Sequence, residues 1–508
     1  MQPSKIFLSK NKDQTIASVL AYVGGKGVQL DSDPDFQGII DSNHGLLLRK
    51  IEEGLDIYGA NTGLGSSSKN RFDFEWSREL QKNLYSYHGC GVGPLLSERE
   101  SAAIMFIRTH CLCQGFSGVS YDLLAHMTLM LENRVFPAIP SLGSVGASGD
   151  LTPLAYVAAA IAGERQVYYQ GRVQETADVY RSLQIKPYKF KPREALAIMN
   201  GTSVMTGIMV LAWDRLHHMA DLMCSGTGLL VELLDGCSAA YMDATHQVKK
   251  HQGQRLAASR ILSFLNNIDD RLYNNPDGGI QDRYSLRCTP QIVGVLFDTL
   301  EWSLSWVENE LNSVSDNPVF SGDAILNGGH FFGGHIAQAA DSLKTTLATT
   351  INLLDRQMAF LMEVAESRFS ENLVLKNQLG EKAILNHGFK AMQITMSAIA
   401  AELIKQSTPM SIFSRPTETS NQDVVSMGTI AARDLTHMLN LAEANFAIMF
   451  MALVQGFHVR EDLGHNMDLN QRARKLLTEF GEVFPRVVED RPMDGDIVNM
   501  KTYLFSGS

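Results

Sequence analysis

From about residue 201 onward the chain carries stretches of helical hydrophobic periodicity longer than the globular norm. Residues 292–314, 336–367, 388–407 and 427–454 each repeat apolar side chains three and four apart. Helices of that length bury a continuous apolar stripe only by packing along one another, so this part of the chain is committed to a bundle. The first two hundred residues read differently: glycine and turn signals recur at 24–25, 59–65, 89–93 and 143–149, as in a compact domain that carries loops. Two domains are expected, 1–200 and 201–508. No Pro/Gly/Ser-rich joint separates them, which suits parts that share an interface. There is no internal repeat.

Composition narrows the function. A 508-residue chain that is 45% hydrophobic and 19% charged has enough apolar material for a large core. Its formal charge of -11 offers no general attraction for phosphate backbones or anionic lipid, so neither nucleic acid nor a membrane is an expected partner. The amino-terminal twenty residues are polar and lack a signal-peptide apolar region, and the most apolar late stretch, 446–454, is about half a membrane span. A soluble, cytoplasmic protein is expected. Six cysteines in so long a chain form no disulfide framework, and Cys111 with Cys113 finds no second Cys or His pair at zinc spacing; no metal is expected. The 22 methionines suit an adaptable core.

One segment concentrates unusual chemistry: GSVGASGDLTP, at 143–153. A serine-hydrolase elbow needs Gly-x-Ser-x-Gly, and here Ser148 is followed by Gly149 and Asp150, so the spacing fails. A phosphate-binding loop needs a Gly-x-Gly-x-x-Gly or Gly-Lys-Ser/Thr pattern, and neither is present. A glycine turn before a helix starting near Leu151 is the plain reading of the tripeptide alone. Its company argues for more. Residues 57–65 read IYGANTGLG, 83–93 NLYSYHGCGVG, 200–203 NGTS, 281–291 QDRYSLRCTPQ, 315–318 SDNP, 328–333 GGHFFG and 420–428 SNQDVVSMG.

In this order, from Tyr58 to Gly428, these segments resemble the histidine, phenylalanine and tyrosine ammonia-lyase family, and in motifs its bacterial tyrosine-specific members most. The resemblance implies a mainly α fold, an aspartase/fumarase-like elongated helical bundle with an N-terminal globular domain. It implies that Ala147-Ser148-Gly149 cyclises autocatalytically to 4-methylidene-imidazol-5-one, an electrophile for the substrate amine, with no external cofactor. The chemistry suits the residues: the Gly149 nitrogen must reach the Ala147 carbonyl carbon, a contraction that a missing side chain permits, and Ser148 then loses its hydroxyl as water.

Roles follow from the same resemblance. Tyr58 matches the catalytic base; a β-hydrogen is a weak acid, and a phenolate with an ordinary pKa of about 10 is basic enough to take it. Asn200 lies near the electrophile and is suited to polarising the ring oxygen. Arg287 grips the substrate carboxylate, where a planar guanidinium offers two parallel hydrogen bonds. Tyr284 is a second active-site tyrosine, and Gln281, Phe331 and Asn421 contact substrate. Gln422 stands where histidine-specific members carry glutamate, and a neutral amide suits a neutral aromatic ring.

Ring recognition falls on Tyr87 and His88. A buried polar group without a partner costs about 1–3 kcal/mol, so His88 points to a phenolic hydroxyl. His88 also matches histidine-specific members, Tyr87 departs from the usual residues, and His330 and Phe332 exchange the family's polar neighbours of Phe331. The ranking is tyrosine, then phenylalanine, then histidine. A 2,3-aminomutase of the same family stays open, as does lyase versus mutase outcome. A catalytically dead helical scaffold or sensor is disfavoured by the intact tripeptide with Tyr58 and Arg287. Family members are homotetramers whose sites draw on several subunits, so the same assembly is expected here.

Overall fold

The computed structural model describes residues 5–273, 280–465 and 467–506, and it is mainly helical. The chain divides into two compact units: Met1–Leu211 with Ser303–Asp341 and Pro409–Arg433, and Ala212–Trp302 with Ser342–Thr408 and Asp434–Ser508. The first crossing, at 211, falls near the boundary expected at 200. Two later segments, expected in the helical part, belong to the first unit. The reason lies in the long helices: Ser203–Leu234, Thr289–Leu311, Gly334–Arg368 and Gly428–Asp462 each have one end in that unit, and the loops at those ends count with it.

All strands among the described residues lie in the first unit. They are short: a parallel pair, Ile6–Leu8 with Val28–Leu30, and antiparallel pairings of Val92–Leu95 with Pro140–Leu142 and of Val319–Ser321 with Ala324–Leu326. A three-stranded sheet runs Phe136–Pro137, Gln166–Tyr169, Arg172–Glu175. The core beneath them is helical. Glu98–Cys113 starts at a capping box, Ser97 with Glu100, and every residue from Ser101 to Cys113 is buried, so it is a central helix without a solvent face.

Two arginines are fully buried in this core, and both fix loops near one end of it. Arg108 donates to the Ala197 and Asn200 carbonyls and, at 3.1 Å, to Ser315 Oγ. Arg193 donates to the Ser117 and Pro318 carbonyls and pairs with the equally buried Asp316 at 3.0 Å. Breaking a buried pair strands one charge, at about 3–5 kcal/mol. The Asp316→Ala variant is therefore expected to unfold in urea with a stability lower by about 3–5 kcal/mol; an unchanged denaturation curve would remove the pair from the stabilising core.

The second unit is a helical bundle whose core is rich in methionine and phenylalanine, including Met219, Met223, Met358, Phe446, Met449 and Phe450. The apolar stretch noted at 446–454 lies within Gly428–Asp462, the one described helix long and apolar enough to cross a membrane; its apolar window is 78% buried within the protein, as in a core helix.

Candidate active site

The Ala147-Ser148-Gly149 tripeptide sits in the first unit where three helices begin. Leu151–Ile161 starts two residues beyond Gly149. Gly149 forms an isolated parallel bridge with Gly201, two residues before Ser203–Leu234. Met427, which precedes Gly428–Asp462, donates its N–H to the Val145 carbonyl at 3.0 Å. Helix N-termini carry unsatisfied N–H groups and partial positive charge, and at Ser203–Leu234 these draw in the carboxylate of Asp150.

Glycine is required at 149 for two reasons. Its φ is +72°, in the left-handed region, and a Cβ there would overlap the Gly201 carbonyl oxygen. Ser148 itself adopts φ +52°, a conformation that costs a residue with a side chain about 1–2 kcal/mol. Gly146 is left-handed too, and a Cβ on it would strike Ser426 Oγ. The tripeptide is thus a strained turn packed between fixed backbones.

Asp150 anchors that turn. Fully buried, its carboxylate accepts the N–H groups of Val204 and Met205 at 3.0 Å each, and hydroxyls of Ser144 at 3.2 Å and Thr429. Burial pushes its pKa up to about 6 against these donors, so it is ionised at neutral pH. It caps one helix and ties it to a second.

Tyr58 reaches the site on the 57–65 loop. Asn61 fixes the loop by accepting Ile57 N–H at 2.7 Å and donating to Leu55 O at 3.0 Å. Buried Gln81 donates to Gly59 O at 3.2 Å and accepts from Ala195 N at 3.1 Å, joining the loop to the helix that leads to Asn200. Tyr58 Oη accepts the Gly65 N–H at 2.8 Å. Burial raises the Tyr58 pKa above the ordinary phenol value, the Gly65 donor opposes this, and the nearby Glu418 carboxylate raises it further.

The late segment folds over the tripeptide. Thr417 and Gln422 pair through their backbones and close a turn in which Glu418, Thr419 and Ser420 all have positive φ, 50°, 54° and 65°. Thr417 Oγ1 donates to Gln422 Oε1 at 2.7 Å, which orients the amide so that its N–H donates to Ser148 Oγ at 3.1 Å. Glu418 accepts the Ser66 N–H at 3.1 Å and so connects this turn to the Tyr58 loop.

The residues singled out in the sequence divide into two groups. Tyr58, Ala147, Ser148, Asn200, Phe331, Asn421 and Gln422 line one cavity of about 510 Å³. Tyr87 and His88 line an adjoining cavity of about 160 Å³, shared with Tyr58, Ser148, Asn200 and Gln422. Burial lowers the His88 pKa to about 4, and burial with the Tyr58 and Glu418 charges raises that of Tyr87 to about 12, so both are neutral at physiological pH. Gln281, Tyr284 and Arg287 belong to the second unit and line neither cavity. Tyr284 is exposed, and Arg287 donates through Nε to Asp282 O at 2.9 Å with its guanidinium 4.5 Å from the Tyr284 ring.

Glu418, Asp150 and Phe332 are site residues that motif reading did not assign. Glu418 lies four positions before Gln422, close enough in sequence to have been found from that motif; Phe332 appeared only as a departure beside Phe331 and here lines the larger cavity. Asn200 Oδ1 is buried without a hydrogen-bond partner beside the tripeptide.

This arrangement pairs an oriented amide donor and a strained serine turn with a buried phenol, in the manner of one known group of enzymes. The aromatic amino acid lyase family profile matches residues 14–480. Tyrosine ammonia-lyase of Cereibacter sphaeroides is 35% identical over 477 residues, covering 90% of each chain. A probable histidine ammonia-lyase of Thermoplasma acidophilum is 33% identical over 463 residues, covering 91% of each. The crystal structure of tyrosine aminomutase from Streptomyces globisporus superposes with a TM-score of 0.90 at 30% identity, over 99% of this chain and 97% of the other. A site built from residues up to 364 positions apart and a likeness that runs through both units lead to one conclusion: the chain belongs to the aromatic amino acid lyase family and is a carbon–nitrogen lyase.

Proposed function

We propose that the protein deaminates L-tyrosine to trans-p-coumarate and ammonia, with 4-methylidene-imidazol-5-one formed from Ala147-Ser148-Gly149. The observation that carries this reading is the convergence of Tyr58, Ser148, Asn200 and Gln422 on one cavity. The residues present fit the group: no Cβ is tolerated at 149, and Asn200 lines the cavity beside Ala147 and Ser148, where its side-chain N–H is the donor a ring oxygen would need. When formed, the group supplies an electron-poor carbon that accepts the electrons of the departing amine.

This chain's own residues do the rest. The Gln422 N–H assists departure of the Ser148 hydroxyl during maturation. Tyr58, as phenolate, takes the β-proton, and the Gly65 N–H holds its oxygen in place. Neutral His88 offers a hydrogen-bond partner to a phenolic hydroxyl, and Gln422 replaces the carboxylate of histidine-specific members. Six unbridged cysteines suit a cytoplasmic enzyme.

Gln281, Tyr284 and Arg287 enter this reading from a second copy of the chain in a homotetramer. Arg287 then holds the substrate carboxylate. The expected signature is complementation: Ser148→Ala and Arg287→Ala are each inactive, yet their co-expression restores a fraction of wild-type activity through mixed sites. Failure to restore any activity from correctly assembled mixtures would count against shared sites.

The test of the reaction is incubation with tyrosine, phenylalanine and histidine separately, with identification of every product. Tyrosine is expected to give p-coumarate fastest; urocanate from histidine as the main product would overturn the substrate assignment. The likeness to a tyrosine aminomutase favours one second reading, release of β-tyrosine, and the same assay registers it.

A further inference from the structure

The second unit contains its own cavity of about 440 Å³, lined by residues of the Ser203–Leu234, Gln252–Leu262 and Gln471–Val483 helices and by Phe264. Part of its wall is apolar: Leu222, Phe264 and Leu476. Besides Cys224 and Ser225, the rest is charged, with three cations against two carboxylates. Arg260 pairs with Asp221, and Lys475 pairs with Glu479 at 3.8 Å across one helical turn. Arg472 has no carboxylate partner among the described residues.

Arg472 is nevertheless held in place. Its guanidinium lies 4.5 Å from the centre of the Phe264 ring, and Nη1 donates to Ser263 Oγ at 2.9 Å. Stacking on one face and one tethered nitrogen leave Nε and Nη2 without a protein acceptor, the planar donor edge that carboxylates bind. Arg260 stands close enough that its pKa is drawn below the ordinary value by burial and by the Arg472 charge. Two guanidiniums kept together beside an apolar wall repel each other. Asp221 offsets the charge of Arg260, and Arg472 is the guanidinium of the two that has no carboxylate partner among the described residues.

We infer that this cavity is a second binding site, for a small aromatic carboxylate, with the carboxylate on the Arg472 edge and the ring against Leu222, Phe264 and Leu476. A polar anion would use the cations and leave the apolar wall bare. An arylacrylate uses both. The choice of arylacrylate rests on the reaction proposed above; the site itself does not.

The experiment is equilibrium dialysis of the full-length enzyme against p-coumarate, with initial-rate kinetics on the same samples. Wild type is expected to bind two equivalents per chain. Arg472→Gln, distant in role from the catalytic residues, is expected to weaken one class of site at least tenfold while kcat and KM for deamination stay unchanged. A single equivalent in wild type that persists in Arg472→Gln, or two undiminished equivalents in the variant, would overturn the proposal. So would inorganic phosphate displacing p-coumarate from this site as effectively as cinnamate does, since the site would then recognise charge alone. Binding is read directly, so a protein that deaminates nothing would reject the proposed reaction and still leave this result readable.

Discussion

Turnover by the Ser148→Ala variant is expected to fall by at least about 10⁴-fold, most of the acceleration of roughly 10⁶-fold or more that enzymes supply. Alanine removes the hydroxyl whose departure creates the electrophilic methylidene. It also removes the acceptor of the Gln422 N–H at 3.1 Å. The surrounding fold has little reason to change: Asp150 still caps its helix, and the Gly149–Gly201 bridge is made by backbone. The same pair of proteins gives an independent reading by intact mass. Wild type is expected to be lighter than its translated sequence by two waters, one from ring closure and one from the serine hydroxyl; the variant lacks the second. A wild-type mass equal to the translated value would leave no electrophile, and near-normal turnover by the variant would remove Ser148 from the chemistry.

The long helices were legible because hydrophobic periodicity is local: 292–314, 336–367 and 427–454 were expected, and Thr289–Leu311, Gly334–Arg368 and Gly428–Asp462 are observed. Division into units was less so. Residues 303–341 and 409–433 count with the first unit because their helix ends are located there, which depends on contacts far apart in sequence. The helix Glu98–Cys113 shows the opposite limit: buried on every side, with Ser101, Thr109 and His110 among its apolar residues, it has no periodicity to announce its central place, and Arg108 within it looks like a solvated charge until Ala197, Asn200 and Ser315 surround it.

At the site, motif strings picked out residues that line the cavity and were silent about those that hold them in place. Tyr58, Ser148, Asn200 and Gln422 each sit in a recognisable string and meet in one cavity. Gln81, which ties the Tyr58 loop to the helix before Asn200, is an unremarkable glutamine in an amphipathic helix. The three convergent helix ends cannot be read from any one of the segments that form them. Arg287 has a string as specific as the others and lies outside both cavities; under the proposed shared site it serves a second copy, which a motif does not record.

Tyr58→Phe keeps the ring and removes only the hydroxyl, so a loss of about 10²- to 10⁴-fold in kcat/KM, the usual worth of a general base, is expected with little change in KM. The pH profile distinguishes a base from a structural phenol. In the proposed role Tyr58 acts deprotonated, and burial with the Glu418 charge raises its pKa above the ordinary value, so the rate is expected to climb with pH well into the alkaline range. Folding opposes the same ionisation: the stability contributed by the buried neutral phenol is complete below the unfolded value of about 10 and is lost as pH rises through the folded value. The activity limb must therefore be measured before alkaline unfolding sets in. Glu418→Gln separates the electrostatic part, because glutamine still accepts the Ser66 N–H that connects the two loops but carries no charge. Without the carboxylate the phenolate is less disfavoured, and the limb is expected to move to lower pH with the loop intact. A limb that stays in place or moves upward would mean that the group titrating in the profile is not Tyr58 beside Glu418, and near-normal turnover by Tyr58→Phe would assign the proton abstraction to another residue.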